Sequence, residues 1–128
     1  MYLSMTTNLM VENVEVSLRF YQEILGFSVG VMVPKESGGL QFAILEKDGI
    51  SLMIQDRENF IEEYPILDTQ KVQPSISLYI SVDNLEELYQ NLQEKYEILK
   101  EMYTTFYGSK EFAVADADGY VLTFTEAK

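Results

Sequence analysis

Eight stretches of the chain alternate apolar with polar residues, and two others space their apolar residues at helical intervals. The pattern predicts strands near 5–11, 27–33, 40–47, 50–56, 75–82, 98–104, 110–116 and 119–126. Val14, Leu18, Tyr21 and Leu25 mark the apolar stripe of one helix, and Leu85, Leu88, Leu92 and Tyr96 that of another. Asn13 and Asn84 stand where a side-chain oxygen can cap the first free N–H groups, and Glu87 follows Asn84 at capping-box spacing. Asp48-Gly49 and Asp118-Gly119 each interrupt an apolar alternation. They predict tight hairpins, because such turns need residues that tolerate positive φ.

The chain contains this pattern twice. Val11-Glu12-Asn13-Val14-Glu15 matches Val82-Asp83-Asn84-Leu85-Glu86 at an offset of 71 (82 − 11). The run from Phe42 to Gln55 matches that from Phe112 to Thr125 at an offset of 70 (112 − 42). Two copies of one supersecondary unit are the simplest explanation. Each copy reads strand, helix, three strands, so the fold class is α+β: two tandem βαβββ modules, 1–66 and 67–128, forming one domain. The polar stretch from Glu62 to Gln73, which holds Pro65, is read as the linker, with Pro74 opening the next strand.

Two such modules, with Ser17-x-x-Phe20-Tyr21-x-x-x-Leu25-Gly26-Phe27 in the first, resemble the vicinal oxygen chelate superfamily of glyoxalases, bleomycin-resistance proteins and dioxygenases. Tyr107-Gly108-Ser109-Lys110-Glu111-Phe112 and Asp116-Ala117-Asp118-Gly119-Tyr120 are similar to that family's closing hairpin, with Ala117 where proline is usual. The resemblance spans the chain and implies curved mixed sheets around a cavity. It implies no single activity, since relatives include glyoxalase I, extradiol dioxygenases, epimerases, fosfomycin-modifying enzymes and metal-free drug-binding proteins. It also implies a homodimer in which modules of two chains complete each other's sheets, and open sheet edges make such pairing physically reasonable.

Alternation sorts the strand residues by face. With Leu9, Val11, Leu52 and Ile54 in the core, Thr6, Asn8, Met10, Ser51, Met53 and Gln55 lie opposite. With Leu78, Ile80, Val82, Leu122 and Phe124 in the core, Ser77, Tyr79, Ser81, Val121, Thr123 and Thr125 do. Periodicity alone fits a solvated face as well as a cavity wall; the family resemblance favours the cavity. Its expected lining is Thr6, Asn8, Met10, Met53, Gln55, Ser77, Tyr79 and Thr123, joined by Phe106 and Tyr107 from the loop before the seventh strand. Tyr79 and Tyr107 are candidate hydrogen-bond donors to a ligand, although packing with the hydroxyl at the rim is the common use of such tyrosines.

In metal-dependent relatives four inward residues hold a divalent ion, and by position they fall on Thr6, Met53, Ser77 and Thr123. The repeat supports that register, with offsets of 71 (77 − 6) and 70 (123 − 53). Hydroxyls and a thioether are poor ligands for a transition metal, and the chain has no His and no Cys. Mg²⁺ or Ca²⁺ would need carboxylates there. No metal and no other cofactor is expected, and with no Lewis acid neither lactoylglutathione lyase nor dioxygenase chemistry is expected. Glu12, Glu15, Glu86 and Glu87 lie at helix starts, where carboxylates act as caps and dipole partners.

The absence of cysteine rules out disulfides and a thiol nucleophile. Neither a signal peptide nor a membrane-spanning run is legible, so a cytoplasmic address is expected. The net charge of −12 repels phosphate backbones and anionic lipid, so neither nucleic acid nor membrane is an expected partner. The reading that results is a binding protein for a small organic molecule, of a cationic or drug-like kind. A metal-independent lyase or isomerase acting through Tyr79 or a pocket carboxylate is the alternative, and an interaction module without ligand the third possibility.

Overall fold

Asn13 opens the first helix: its side chain accepts the Val16 N–H at 2.9 Å, and α1 spans Val14–Arg19. The chain then widens into a π-turn at Phe20–Ile24, where the Leu25 N–H reaches back to the Phe20 carbonyl. The extra residue in that turn lets sequence neighbours share the core side. Phe20 and Tyr21 are both buried, their rings meeting edge to face at 5.0 Å. The buried stripe is therefore Val14, Ser17, Phe20 and Tyr21, whereas Leu18 and Leu25, expected at helical spacing, are only half-buried. The structure, a computed structural model, describes residues 1–127.

The chain divides into two compact units, the second beginning at Pro74. In the first, β1 (Asn8–Val11), β2 (Ser28–Pro34), β3 (Leu40–Lys47) and β4 (Ile50–Asp56) form a sheet in the order β1-β4-β3-β2, with β1 parallel to β4. The first strand starts later than its alternation predicts; ahead of it the Thr7 carbonyl still accepts the Met53 N–H at 2.9 Å. Asp48 and Gly49 take φ of 48° and 85°, the double positive value that a two-residue hairpin turn requires. Helix α2 (Arg57–Glu63) follows, capped by Asp56, whose carboxylate accepts the Asn59 N–H at 3.3 Å. It anchors through Phe60, packs against β1 and β4, and leads to a 3₁₀ turn at Pro65–Leu67. Part of the expected linker is thus helical. Glu12 fastens what remains: its carboxylate accepts Arg57 Nε at 2.8 Å and the Val72 N–H at 2.7 Å. The hydrogen bond from Arg57, then that from Val72, hold Glu12 below the usual carboxylate range.

The second unit repeats the order. Strands β5 (Ser77–Val82), β6 (Lys100–Thr104), β7 (Lys110–Ala115) and β8 (Val121–Glu126) lie as β5-β8-β7-β6, with β5 parallel to β8 and α3 (Leu85–Gln93) after β5. Asn84 caps α3 as predicted, accepting the Glu87 N–H at 3.3 Å and donating to the Glu87 carboxylate at 2.7 Å. Leu85, Leu92, Phe112, Val114, Leu122 and Phe124 are buried, with Phe112 stacked on Phe124 at 5.2 Å. Leu78, Ile80 and Val82 are only half-buried. Strand β5 is an edge strand, and among the described residues this unit has no helix corresponding to α2. The second Asp-Gly pair also differs from the first. Asp116 accepts the N–H groups of Asp118 and Tyr120 at 3.0 and 2.9 Å, only Gly119 has positive φ (94°), and the wider turn delays β8 to Val121. Among the described residues no helix is long and apolar enough to cross a membrane.

Candidate functional site

Each sheet has a face covered by α1 or α3 and an opposite face on which the polar groups of interest lie; in the first unit α2 borders that opposite face, since its Asn59 and Glu63 reach Gln55. In the first unit the ladder sets Asn8 opposite Met53 and Met10 opposite Gln55. Phe42 and Ile44 of β3 flank Gln55 and Met53 on the far side. Gln55 is buried and organises the polar end of this face. Its Oε1 accepts Asn8 Nδ2 at 2.7 Å, and its Nε2 donates to Asn59 Oδ1 at 2.7 Å and Glu63 Oε1 at 3.3 Å. Asn8 Oδ1, also removed from solvent, receives no hydrogen bond from a protein group among the described residues. Thr6 lies just ahead of β1 and is exposed.

In the second unit the centre is Glu111 on β7, which is 3% exposed. Its Oε2 accepts the Tyr107 hydroxyl at 2.7 Å and the Tyr79 hydroxyl, and its Oε1 accepts that of Tyr103 at 3.3 Å. Sheet order makes the cluster: Glu111 pairs with Tyr103 across β6–β7 and with Thr125 across β7–β8, while Tyr79 reaches over from β5. Thr125 in turn shares a 2.6 Å hydrogen bond with Ser109, which anchors the loop carrying Phe106 and Tyr107. Burial pushes the Glu111 carboxyl up, but the hydrogen bonds from Tyr79, Tyr107 and Tyr103, with the nearby Ser109 hydroxyl, outweigh it, so its pKa lies below the ordinary value. Tyr107 moves the other way, held well above its usual range by the neighbouring Tyr79 hydroxyl first and by its own hydrogen bond to the Glu111 carboxylate second. The cluster is one carboxylate ringed by three phenols, and among the described residues no lysine or arginine forms a salt bridge with that carboxylate.

Of the residues singled out from sequence in this unit, Tyr79 and Tyr107 meet on one carboxylate oxygen, and Thr123 lies opposite Tyr79 in the ladder. Ser77 pairs with Val121 at the start of β5, and Phe106 is fully exposed with its ring edge-on to Tyr107 at 5.0 Å. Sequence reasoning missed Glu111, Tyr103, Asn59 and the part played by Glu63. A signal for Glu111 existed: in Lys110-Glu111-Phe112-Ala113-Val114 the alternation puts a glutamate on the side opposite the core residue Phe112.

The donor chemistry at the metal-binding register does not suit a catalytic cation. Thr6, Met53, Ser77 and Thr123 offer three hydroxyls and a thioether, and their neighbours Asn8, Gln55, Tyr79 and Thr125 are uncharged. Among the described residues no group of three or more Asp or Glu side chains is placed to hold a metal.

Comparisons with known proteins bear on the fold. A family model described as Glyoxalase/Bleomycin resistance protein/Dioxygenase superfamily matches residues 4–124. Among curated proteins, none matches. A glyoxalase/bleomycin resistance protein/dioxygenase from Nocardioides superposes with a TM-score of 0.82 at 15% identity, covering 98% of this chain and 84% of that one. A glyoxalase-related enzyme from Fulvimarina pelagi gives 0.79 at 21% identity, covering 99% and 89%. TioX from Micromonospora sp. ML1 gives 0.74 at 15% identity, covering 98% of each chain. These likenesses establish the fold, and the match of the family model over nearly the whole length means that this chain belongs to the glyoxalase/bleomycin resistance protein/dioxygenase superfamily.

Proposed function

We propose that the protein is a metal-free binder that captures a small, positively charged organic molecule and releases it unchanged. The observation that carries this reading is the Glu111 cluster: a buried carboxylate without a basic partner, bordered by Tyr79 and Tyr107, which are 59% and 52% exposed. An organic cation over those rings gains both the carboxylate field and the negative ring faces. The Lys100 ammonium, 4.2 Å from the centre of the Tyr103 ring, is a cation already using one of these phenols in that way. The charge of −12 draws cations toward the molecule. Under this proposal the working form is a cytoplasmic homodimer, for which light scattering should give twice the chain mass.

A metal-independent lyase or isomerase is the second reading, favoured by the direct Tyr79–Glu111 hydrogen bond. General acid–base work asks for groups tuned toward neutrality. Glu111 and Tyr107 are displaced away from it in opposite directions, which suits binding better. The test is calorimetric titration with cationic glycopeptides and aromatic amines, for the wild type and Glu111→Gln. Binding that weakens by about tenfold or more in the variant is expected, the order of one lost charge contact in a partly desolvated site. Silence across the panel, or turnover that survives chelation and is lost in Tyr79→Phe, refutes the proposal.

A further inference from the structure

We infer that the amide cluster of the first unit is a docking point for a positively charged N–H donor, an ammonium or guanidinium group, received by the side-chain carbonyl of Asn8. The inference rests on the reading of the faces opposite α1 and α3 as ligand-binding and adds a chemical requirement that the Glu111 cluster does not impose.

The polarity of the cluster follows from Glu63. A carboxylate only accepts, so Gln55 must turn its Nε2 toward Glu63 Oε1 (3.3 Å), where the same nitrogen also serves Asn59 Oδ1 (2.7 Å). That orientation aims Gln55 Oε1 at Asn8. Only the NH₂ of Asn8 can answer it, at 2.7 Å, and the carbonyl Oδ1 of Asn8 is left over. The amide orientations are thus dictated by an anion at one end of the chain. The leftover atom at the other end is a buried acceptor with no donor from the protein among the described residues. Buried acceptors of this kind are rare because the lost solvation is not recovered. Hydrogen bonds in a row polarise one another, so a chain ending in a carboxylate makes its far carbonyl a stronger acceptor and favours a donor that brings positive charge. Met53 faces Asn8 in the ladder and Met10 follows two residues on. Both are unbranched side chains that repack around an arriving group at low cost. A cation without N–H groups satisfies the charge but not the carbonyl, which separates this site from a purely electrostatic one.

The experiment uses the full chain, ¹⁵N-labelled, and follows the side-chain NH₂ signals of Asn8 and Gln55 while methylguanidinium or tetramethylammonium is added. Methylguanidinium should move both signals saturably, and tetramethylammonium should leave them in place. Asn8→Leu should abolish the response. Glu63→Gln, a change at an exposed position, should weaken methylguanidinium by about threefold, the order of a partly screened charge acting through two hydrogen bonds. Equal response to the two cations, or unchanged affinity in Glu63→Gln, overturns the inference. If tetramethylammonium perturbs signals around Tyr103 and Tyr107 while methylguanidinium leaves Asn8 unmoved, the docking point is wrong and the broader reading survives. No movement of any signal with either probe sinks both.

Discussion

Replacing Glu111 by glutamine tests the electrostatics of the second unit through stability as well as binding. The substitution keeps shape and removes charge. A hydrogen bond to a charged group contributes about 1.5–3 kcal/mol net and a neutral one about 0.5–1.5, so each bond loses roughly 1 kcal/mol. Tyr79 and Tyr107 are about half exposed, so solvent screening cuts their losses to roughly half each, and the 3.3 Å bond from Tyr103 adds little. The sum is roughly 1 kcal/mol, and the lower desolvation cost of an amide returns part of it, leaving a destabilisation of about 0.5–1 kcal/mol at pH 7. Urea denaturation should show a lower midpoint with unchanged slope. The pH dependence supplies the sign. Folding lowers the Glu111 pKa, so its stabilisation is fully present above the unfolded value near ~4.3 and disappears as pH falls through the folded value. The gap between wild type and variant should therefore narrow progressively as pH falls below about 5. Equal midpoints at pH 7, or a gap that persists in acid, would refute the argument.

Tyr107 should titrate late in an alkaline ultraviolet titration. Its pKa is raised on folding, so its contribution is complete below the unfolded phenol value near ~10 and is lost as pH climbs through the folded value. Tyr107→Phe should therefore flatten the fall in stability above about pH 10, and an unchanged profile contradicts the assignment. At the first helix, Asn13→Ala removes the cap on the Val16 N–H and should cost about 1 kcal/mol, seen as a melting point lower by roughly 3–5 °C. A melting point within a degree of wild type would mean that the π-turn, not the cap, holds that helix.

Local signals were the readable ones. The caps at Asn13 and Asn84, the positive-φ turn at Asp48-Gly49 and the doubled strand order depend on neighbours a few residues apart, or on a repeat visible along the chain. Departures arose where packing overrode spacing. The π-turn buries Phe20 with Tyr21, α2 takes up residues that looked like linker because Phe60 finds a core, and Asp116 widens the second Asp-Gly turn. Alternation assigned Tyr79 to the face of its sheet opposite α3, but nothing in it told which acceptor the phenol would meet.

By itself, the order of residues determined the two βαβββ units, the face on which each strand residue sits, and the lack of imidazole and thiolate ligands, since periodicity and composition are properties of the chain. Only the tertiary structure decided that Tyr79, Tyr103 and Tyr107 converge on Glu111, and that Asn8, Gln55 and Glu63 form a directed hydrogen-bond chain. Hydrogen-bonded partners among them lie as much as 47 residues apart, and strand order brings them within reach. The direction of such a chain and the displacement of a pKa depend on distance and burial, which exist only once the sheet has formed.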